Sequence, residues 1–187
     1  MAAGTAADRE RWIGRILGSA TRMHRMIELL VDWVRVVQLG GFPLRRERVD
    51  VGEVARAICD EQAAVNPGRA VQTSVAGETV GSWDGARIAQ ALGNLIGNAY
   101  QHGTGPIEVG VRGERDAVEV RVMNEGAPIP PESLPRIFEP FSQGRENRGG
   151  LGLGLFITKQ IARAHGGDLF VTSSPERTSF TLRLPRG

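Results

Sequence analysis

The sequence predicts a mixed α/β domain that follows one long helix of the kind found in helical bundles. Three observations support this fold class. The chain has 187 residues, 41% of them hydrophobic, which is enough to bury a core. Residues 12–38 repeat apolar side chains at spacings of three and four, the period of helices packed along each other. From residue 51 onward, segments with helical periodicity alternate with segments that alternate apolar and polar residues.

The apolar side of the long helix forms a heptad seam. Its members are Ile13, Ile16, Ala20, Met23, Ile27, Leu30, Val34 and Val37. Gly40-Gly41 and Pro43 end the helix. The chain contains no second heptad run, so we expect the seam to pack on a second copy of the chain or on a helix outside these residues. We therefore divide the chain into residues 1–42 and 43–187.

Turn signals and periodicity give the elements of the second domain. We expect helices over 51–65, 84–101 (with Asp84 as N-cap) and 153–164, and strands over 70–75, 107–111, 117–123, 168–173 and 179–184. Residues 125–150 are rich in glycine, proline and polar side chains. A loop of that length in a compact domain is usually functional.

The composition excludes several classes of function. The sequence pI of 9.3 comes from a net charge of only +2, and the basic residues are scattered, so we expect no nucleic-acid binding. No apolar stretch approaches the roughly 20 residues that span a bilayer, and residues 1–10 do not resemble a signal peptide. The single cysteine, Cys59, cannot form an intramolecular disulfide, and its apolar helix face predicts a core position. We expect a cytoplasmic protein.

Polar residues on the predicted helix 84–101 point to a metal or phosphate site. Asn94 and Asn98 are four residues apart and share one helix face, and His102 follows one turn later. Two neighbouring amide oxygens suit Mg²⁺, which keeps most of its water and shares phosphate oxygens. The structural alternative is a pair of ordinary surface asparagines.

Two further segments carry candidate binding residues. Residues 148–155 open a helix with several glycines, which exposes backbone N–H groups at the positive end of the helix dipole. This segment lacks the lysine of the P-loop and does not follow a strand, so it matches neither common nucleotide fingerprint. Asn124 and Gly126 stand at a strand end, where an amide can recognise a flat ligand edge and a glycine permits close approach.

In order and spacing, these segments resemble the catalytic, ATP-binding domain of sensor histidine kinases, within the GHKL superfamily. Residues 92–102 resemble the N box of that family, 124–130 its G1 box, 137–141 its F box, 149–154 its G2 box and 175–180 its last box. The seam helix resembles the second helix of the dimerisation hairpin. The resemblance implies an α+β two-layer sandwich, with a mixed sheet that carries its helices on one face.

The resemblance also implies a nucleotide site. ATP would lie between the helix that carries Asn94 and a glycine-rich lid, with Mg²⁺ held by Asn98 and Asn94. Asn124 would face the adenine amino group, His102 would touch phosphate oxygens, and Phe138 and Phe141 would anchor the lid. The full set of implied contacts is Asn94, Asn98, Gln101, His102, Asn124, Gly126, Ile129, Phe138, Phe141, Gly150, Leu151, Gly152, Leu153, Gly154 and Thr178.

Some positions depart from the family pattern. Asn124 stands where an aspartate is usual, Pro128 replaces a glycine, and Arg177 replaces the glycine that usually precedes Thr178. In related ATPases, including DNA gyrase, a glutamate at the position of Asn94 activates water. An amide cannot act as a base, so we expect slow hydrolysis and a nucleotide poised for phosphoryl transfer.

The acceptor histidine of the family is followed by an acidic residue, and none of His24, His102 and His165 has such a neighbour. His24 is an acceptor candidate beside the seam, and His165 is expected at a helix C-terminus. We therefore expect a homodimer that phosphorylates a histidine on a missing or separate helix and serves a response-regulator receiver domain. Two alternatives stay open. An anti-sigma-type serine kinase is disfavoured by the seam helix. A non-catalytic dimerisation module with a decayed site has its best support in Asn124 and Pro128, but the intact asparagines and glycines weigh against it.

Overall fold

The computed structural model describes residues 6–142 and 150–186. The helices are α1 (Ala6–Leu39), α2 (Val51–Val65), α3 (Gly85–His102) and α4 (Gly154–Ala164). The strands are β1 (Glu47–Asp50), β2 (Val71–Ala76), β3 (Val80–Trp83), β4 (Ile107–Gly113), β5 (Ala117–Asn124), β6 (Asp168–Ser173) and β7 (Thr178–Pro185). A short 3-10 turn at Leu134–Arg136 interrupts the long loop.

Five strands form a mixed sheet in the order β2-β4-β5-β7-β6. The β2–β4 pair is parallel and the other pairs are antiparallel. Side chains such as Val109 and Val120 are buried under α2, α3 and α4, whereas Glu108 and Arg121 on the opposite face are exposed. The predicted mixed sheet with helices on one face is therefore confirmed.

A second, two-stranded sheet joins β1 to β3. The sequence analysis did not predict these strands. Each has only four residues, which is too short for an alternating pattern to stand out. Strand β3 ends at Trp83 and leads directly into Asp84, the residue before α3.

Helix α3 lies at the centre of the molecule. Asp84 caps it, because its carboxylate accepts a hydrogen bond from the backbone N–H of Arg87 at 3.1 Å, and this confirms the expected N-cap. The core-facing residues of the helix are fully buried: Ile88, Leu92, Leu95, Ile96 and Ala99. A rigid, well-packed α3 is thus available to carry polar side chains on its remaining surface.

Helix α1 has one exposed apolar face and one buried face. The seam is exposed, with 65% of Ile16 and 61% of Ile27 accessible, so it remains available for another helix. A different face, which carries Leu29 and Asp32, is buried against the domain. The Asp32 carboxylate accepts hydrogen bonds from Arg87 Nη1 at 3.1 Å and from Gln90 Nε2 at 2.6 Å. Helix α1 is thereby attached to α3.

No helix in residues 6–142 and 150–186 is long and apolar enough to cross a membrane.

Candidate functional site

One end of the site lies where β5 ends beside β7. Asn124 and Thr178 face each other across this antiparallel pair, and both are buried. Asn124 Nδ2 donates to the carbonyl oxygen of Glu125 at 3.0 Å. This bond orients the amide, so its oxygen is the acceptor that remains. The arrangement suits a flat ligand that offers one hydrogen-bond donor.

A hydroxyl pair supports this end of the site. Thr178 Oγ1 and Ser173 Oγ are 2.8 Å apart, and Ser173 Oγ accepts from the backbone N–H of Ile129 at 2.9 Å. These bonds connect β6, β7 and the loop after β5. Ile129 and Thr178 are expected here from the sequence, whereas Ser173 was missed. Its position opposite Thr178 in the predicted closing hairpin is the signal that could have found it.

The loop after β5 lies against the C-terminus of α3. Gly126 adopts φ +151°, and a Cβ there would lie 2.8 Å from the carbonyl oxygen of His102. The same helix end is held by Arg69, whose Nη1 donates to the carbonyl oxygens of Ala99 at 2.8 Å and Gly103 at 2.9 Å. Arg69 was also missed, because nothing local in its sequence indicates contacts with a helix about 30 residues away.

The other end of the site joins α3 to α4. Asn94 is buried, and its Nδ2 donates to the carbonyl oxygen of Gly154 at 3.4 Å. The N-cap of α4 is Leu153, which supplies no side-chain hydrogen bond to the first turn. Uncapped N–H groups at the positive end of a helix favour an anion. Gly152, with φ +67°, provides the left-handed turn that leads to this helix start.

Asn98 and His102 follow Asn94 on α3, in the direction of the Asn124 end of the site. Asn98 is half-buried one turn beyond Asn94, and the rise from Asn94 to Gly103 is about 14 Å along α3. Gln101 and His102 are exposed in the last turn, and the protein around the imidazole lowers the pKa of His102 below 6.5 by desolvation. The ring is therefore mostly neutral at pH 7.

Aromatic side chains flank the end of the site where α3 meets α4. The ring of Phe138 lies 4.4 Å from Lys159 Nζ of α4. Phe141, at φ +60°, packs edge-on against Trp33 of α1 with centroids 5.2 Å apart. Leu151 is half-buried against the core, while Gly150 is exposed. Gly149, at the start of the predicted G2 box, lies outside the described residues.

The donors present fit a metal ion that is shared with phosphate. Among the described residues, no three His, Cys, Asp or Glu side chains come together to hold a metal. An amide oxygen such as that of Asn98 can bind Mg²⁺ when phosphate oxygens and water complete the octahedron. Asn94 is placed differently, because its Oδ1 accepts from Arg25 Nη2 at 3.3 Å. The geometry thus favours Asn98 over Asn94 as a metal ligand.

The other two histidines lie away from these groups. His24 is exposed, and its Nε2 is 3.4 Å from Glu28 Oε1. His165 is buried at the end of α4, where Nδ1 lies 2.8 Å from the carbonyl oxygen of Ile161. The expected helix-terminal place of His165 and the core position of Cys59 are both confirmed.

Comparison with known proteins agrees with this geometry. The family described as histidine kinase-, DNA gyrase B-, and HSP90-like ATPase matches residues 83–187. A bacteriophytochrome of Pseudomonas aeruginosa is 32% identical over 176 residues, which is 91% of this chain and 24% of the relative. The histidine-protein kinase AfsQ2 of Streptomyces coelicolor is 33% identical over 91% of this chain and 32% of its own length. The chain therefore spans about a quarter to a third of these relatives.

Solved structures show the same architecture. The catalytic domain of histidine kinase ThkA is 26% identical with a TM-score of 0.64, covering 76% of this chain and 98% of that domain. Full-length ShkA, solved with AMPPNP, shares the fold at 23% identity and a TM-score of 0.76, covering 98% of this chain and 40% of that protein. The chain belongs to the family of histidine kinase-, DNA gyrase B- and HSP90-like ATPases, and within it to the catalytic domains of sensor histidine kinases.

Proposed function

We propose that this chain binds ATP with Mg²⁺ and transfers the γ-phosphate to a histidine other than His24, His102 and His165. The acceptor would lie on a missing or separate helix. The observation that carries the proposal is the pair of polar anchors at the two ends of the α3 site. Asn124 offers an oriented acceptor at one end, and Asn94 bridges to the uncapped start of α4 at the other.

Each anchor has a role in this proposal. Asn124 accepts a hydrogen bond from the adenine amino group, with Thr178 and Ile129 beside it. Gly152, Gly154 and the first turn of α4 receive the phosphates. Asn98 holds Mg²⁺, which neutralises phosphate charge when it is bound.

The site favours transfer over hydrolysis. Asn94 stands where a glutamate activates water in related ATPases, and its amide has no basic atom. Its two amide ends also contact Arg25 and Gly154, which holds the side chain in place. A nucleotide bound here would stay intact until a nucleophile arrives from another helix.

The wider assembly is also part of the proposal. We assign residues 1–42 to a partial dimerisation hairpin and residues 43–187 to the nucleotide-binding domain. The exposed seam between residues 12 and 38 would pair with a second copy, and a receiver domain would accept the phosphate. The proposed location is the cytoplasm. Relatives that match 91% of this chain, and therefore at least part of α1, favour this assembly over a serine kinase, which the sequence alone left open.

Two linked measurements test the proposal. The first titrates the full chain with a fluorescent, non-hydrolysable ATP analogue in millimolar Mg²⁺ and in EDTA. We expect binding that depends on Mg²⁺ and loses that dependence in Asn98→Ala, while Gln38→Ala on the exposed end of α1 serves as the control. The absence of binding would contradict every nucleotide-dependent function.

The second measurement supplies a histidine-bearing hairpin in trans with labelled ATP. We expect an acid-labile, base-stable phosphate on the hairpin. Nucleotide binding followed by an acid-stable phosphoserine on a partner would instead support a serine kinase. Binding without any transfer would support a non-catalytic module.

A further inference from the structure

Arg25 of α1 reaches into the nucleotide site from outside the region that the family match covers. Its Nη2 lies 3.3 Å from Asn94 Oδ1 and 3.4 Å from the carbonyl oxygen of Gly93. The family match begins at residue 83, so nothing in that match assigns a role to α1. Arg25 lies 69 residues before Asn94 and contacts it through the fold alone.

The contact depends on a glycine in α3. A Cβ at Gly97 would lie 2.8 Å from Arg25 Nη2 and 3.2 Å from Nη1, and its three nearest neighbours all belong to Arg25. The missing side chain therefore provides the space that the guanidinium occupies.

The charge of Arg25 has no acidic partner within the part of the chain that the structure describes. Its hydrogen bonds are to neutral oxygens of Gly93 and Asn94. Arg87, on the same interface, instead pairs with Asp32 at 3.1 Å. A guanidinium has five N–H donors, and only Nη2 is used in these contacts, so donors remain for an anion.

A second positive element converges on the same amide. Asn94 Nδ2 contacts Gly154, the first residue of α4, and α4 has no side-chain cap. Arg25 therefore contacts the oxygen of the Asn94 amide, and the first residue of α4 contacts its nitrogen through a backbone carbonyl, so the start of α4 lies close to the guanidinium. No carboxylate among the described residues pairs with Arg25, and a guanidinium near the positive start of a helix is suited to a polyanion such as a phosphate chain.

We infer that Arg25 is a phosphate-positioning residue, which binds the terminal phosphate of the nucleotide while α1 is attached to α3. The inference rests on the proposed function and adds that a residue of the bundle helix completes the phosphate end of the site. Because linkage is reciprocal, a nucleotide that keeps its γ-phosphate also strengthens the attachment of α1 to the domain.

The test compares affinities of the full 187-residue chain for a non-hydrolysable ATP analogue and for ADP, both with Mg²⁺. We expect Arg25→Met to weaken binding of the triphosphate by about tenfold and to change ADP binding by less than about twofold. Arg25→Lys restores part of the loss, because it keeps the charge but not the fork of donors. Arg22→Met is the matched control, since within the described residues Arg22 donates to Ser19 on the exposed side of α1.

A double-mutant cycle tests the position of the guanidinium separately from its charge. Gly97→Ala displaces Arg25, so it should reduce triphosphate binding in the original chain. In the Arg25→Met background it should have little effect, because the atoms it would meet are gone. A merely structural role for Gly97 would give the same loss in both backgrounds.

Three outcomes overturn the assignment while leaving the proposed function intact. Unchanged triphosphate affinity in Arg25→Met removes the phosphate contact. Tighter binding identifies Arg25 as an obstacle to the nucleotide. If Arg25→Met lost the same affinity for ADP and for the triphosphate, or if Arg22→Met lost as much affinity, the effect would be general charge attraction. If the unaltered chain binds neither nucleotide, the proposed function fails first and the assignment falls with it.

Discussion

The backbone N–H of Asp84 donates a hydrogen bond to Nε2 of His165 at 3.0 Å, although the residues are 81 positions apart. The accepting nitrogen must be unprotonated, and Nδ1 faces the carbonyl oxygen of Ile161 at 2.8 Å. One neutral imidazole therefore joins the C-terminus of α4 to the N-cap of α3. These are the two helices that carry the proposed phosphate end of the site.

This bond predicts that stability falls in mild acid. Burial lowers the pKa of His165 below 6.5, and nearby Arg46 acts in the same direction, whereas Ile161 and Asp84 oppose the shift. Between the folded and unfolded pKa values the unfolded chain binds more protons, so the free energy of unfolding decreases as pH falls below about 6.5. Urea unfolding at pH 7.5, 6.5 and 5.5 measures this decrease.

Histidine variants identify the source of the effect. We expect His165→Gln to lose about 2 kcal/mol at pH 7.5 and to show a weaker pH dependence. His102 has a lowered pKa and adds in the same direction, so His102→Gln removes a further part, and the exposed His24→Gln is the control. An unchanged pH profile in His165→Gln would show that other groups control acid stability.

Arg69 should stabilise both the fold and the base end of the site. Its guanidinium binds carbonyl oxygens of Ala99, Tyr100, Gly103 and Gly105, and one buried nitrogen, Nη2, has no partner in the described part of the chain. We expect Arg69→Met to lower the free energy of unfolding by about 3 kcal/mol, because four carbonyl contacts at the end of α3 are lost. Urea denaturation measures the loss, and Arg115→Met in an exposed turn should stay within about 0.5 kcal/mol.

Asn124 should recognise adenine through its amide oxygen. Asn124→Leu removes the acceptor and should weaken binding of the ATP analogue about tenfold. Asn124→Asp keeps an acceptor and adds charge, but loses the donor to Glu125, so we expect an affinity within about threefold of the original. Isothermal titration with adenosine and guanosine nucleotides measures both effects. If Asn124→Leu and the original chain bound the ATP analogue with equal affinity, the adenine base would not contact Asn124.

Gly152 should be required for the turn before α4. A φ of +67° costs a residue with a Cβ about 1 kcal/mol. Gly152→Ala should therefore favour a different backbone conformation before α4, in which the first turn of the helix is no longer positioned to bind the nucleotide. We expect several-fold weaker nucleotide binding with little change in urea stability. Gly68→Ala, in an open turn, is the matched control. A large stability loss would mean that this turn supports the fold rather than the ligand.

Some contacts could not be predicted from the sequence because they join distant parts of the chain. The bounds of α2, the N-cap Asp84 and the buried face of α3 follow from local rules, which need only neighbouring residues. The strands β1 and β3 are too short for such rules. Ser173 was within reach, because strand register alone places it opposite Thr178.

The roles of the individual site residues remain predictions, and the structure changes their relative weight. From the sequence, Asn94 and Asn98 are equally good candidates for a metal ligand, since both are amides on one helix face. Only the fold shows that Arg25 contacts the oxygen of Asn94, which leaves Asn98 as the better metal ligand.

Local patterns in the sequence predict the fold class, the apolar seam of α1 and the order of the polar and glycine-rich segments. Those features depend on periodicity and spacing, which are properties of contiguous residues. Tertiary structure alone decided that α1 has a second face, where buried Asp32 binds Arg87 and Arg25 reaches Asn94. A buried charge on a helix carries no apolar signal, so its partner becomes evident only when two helices distant in sequence are brought together.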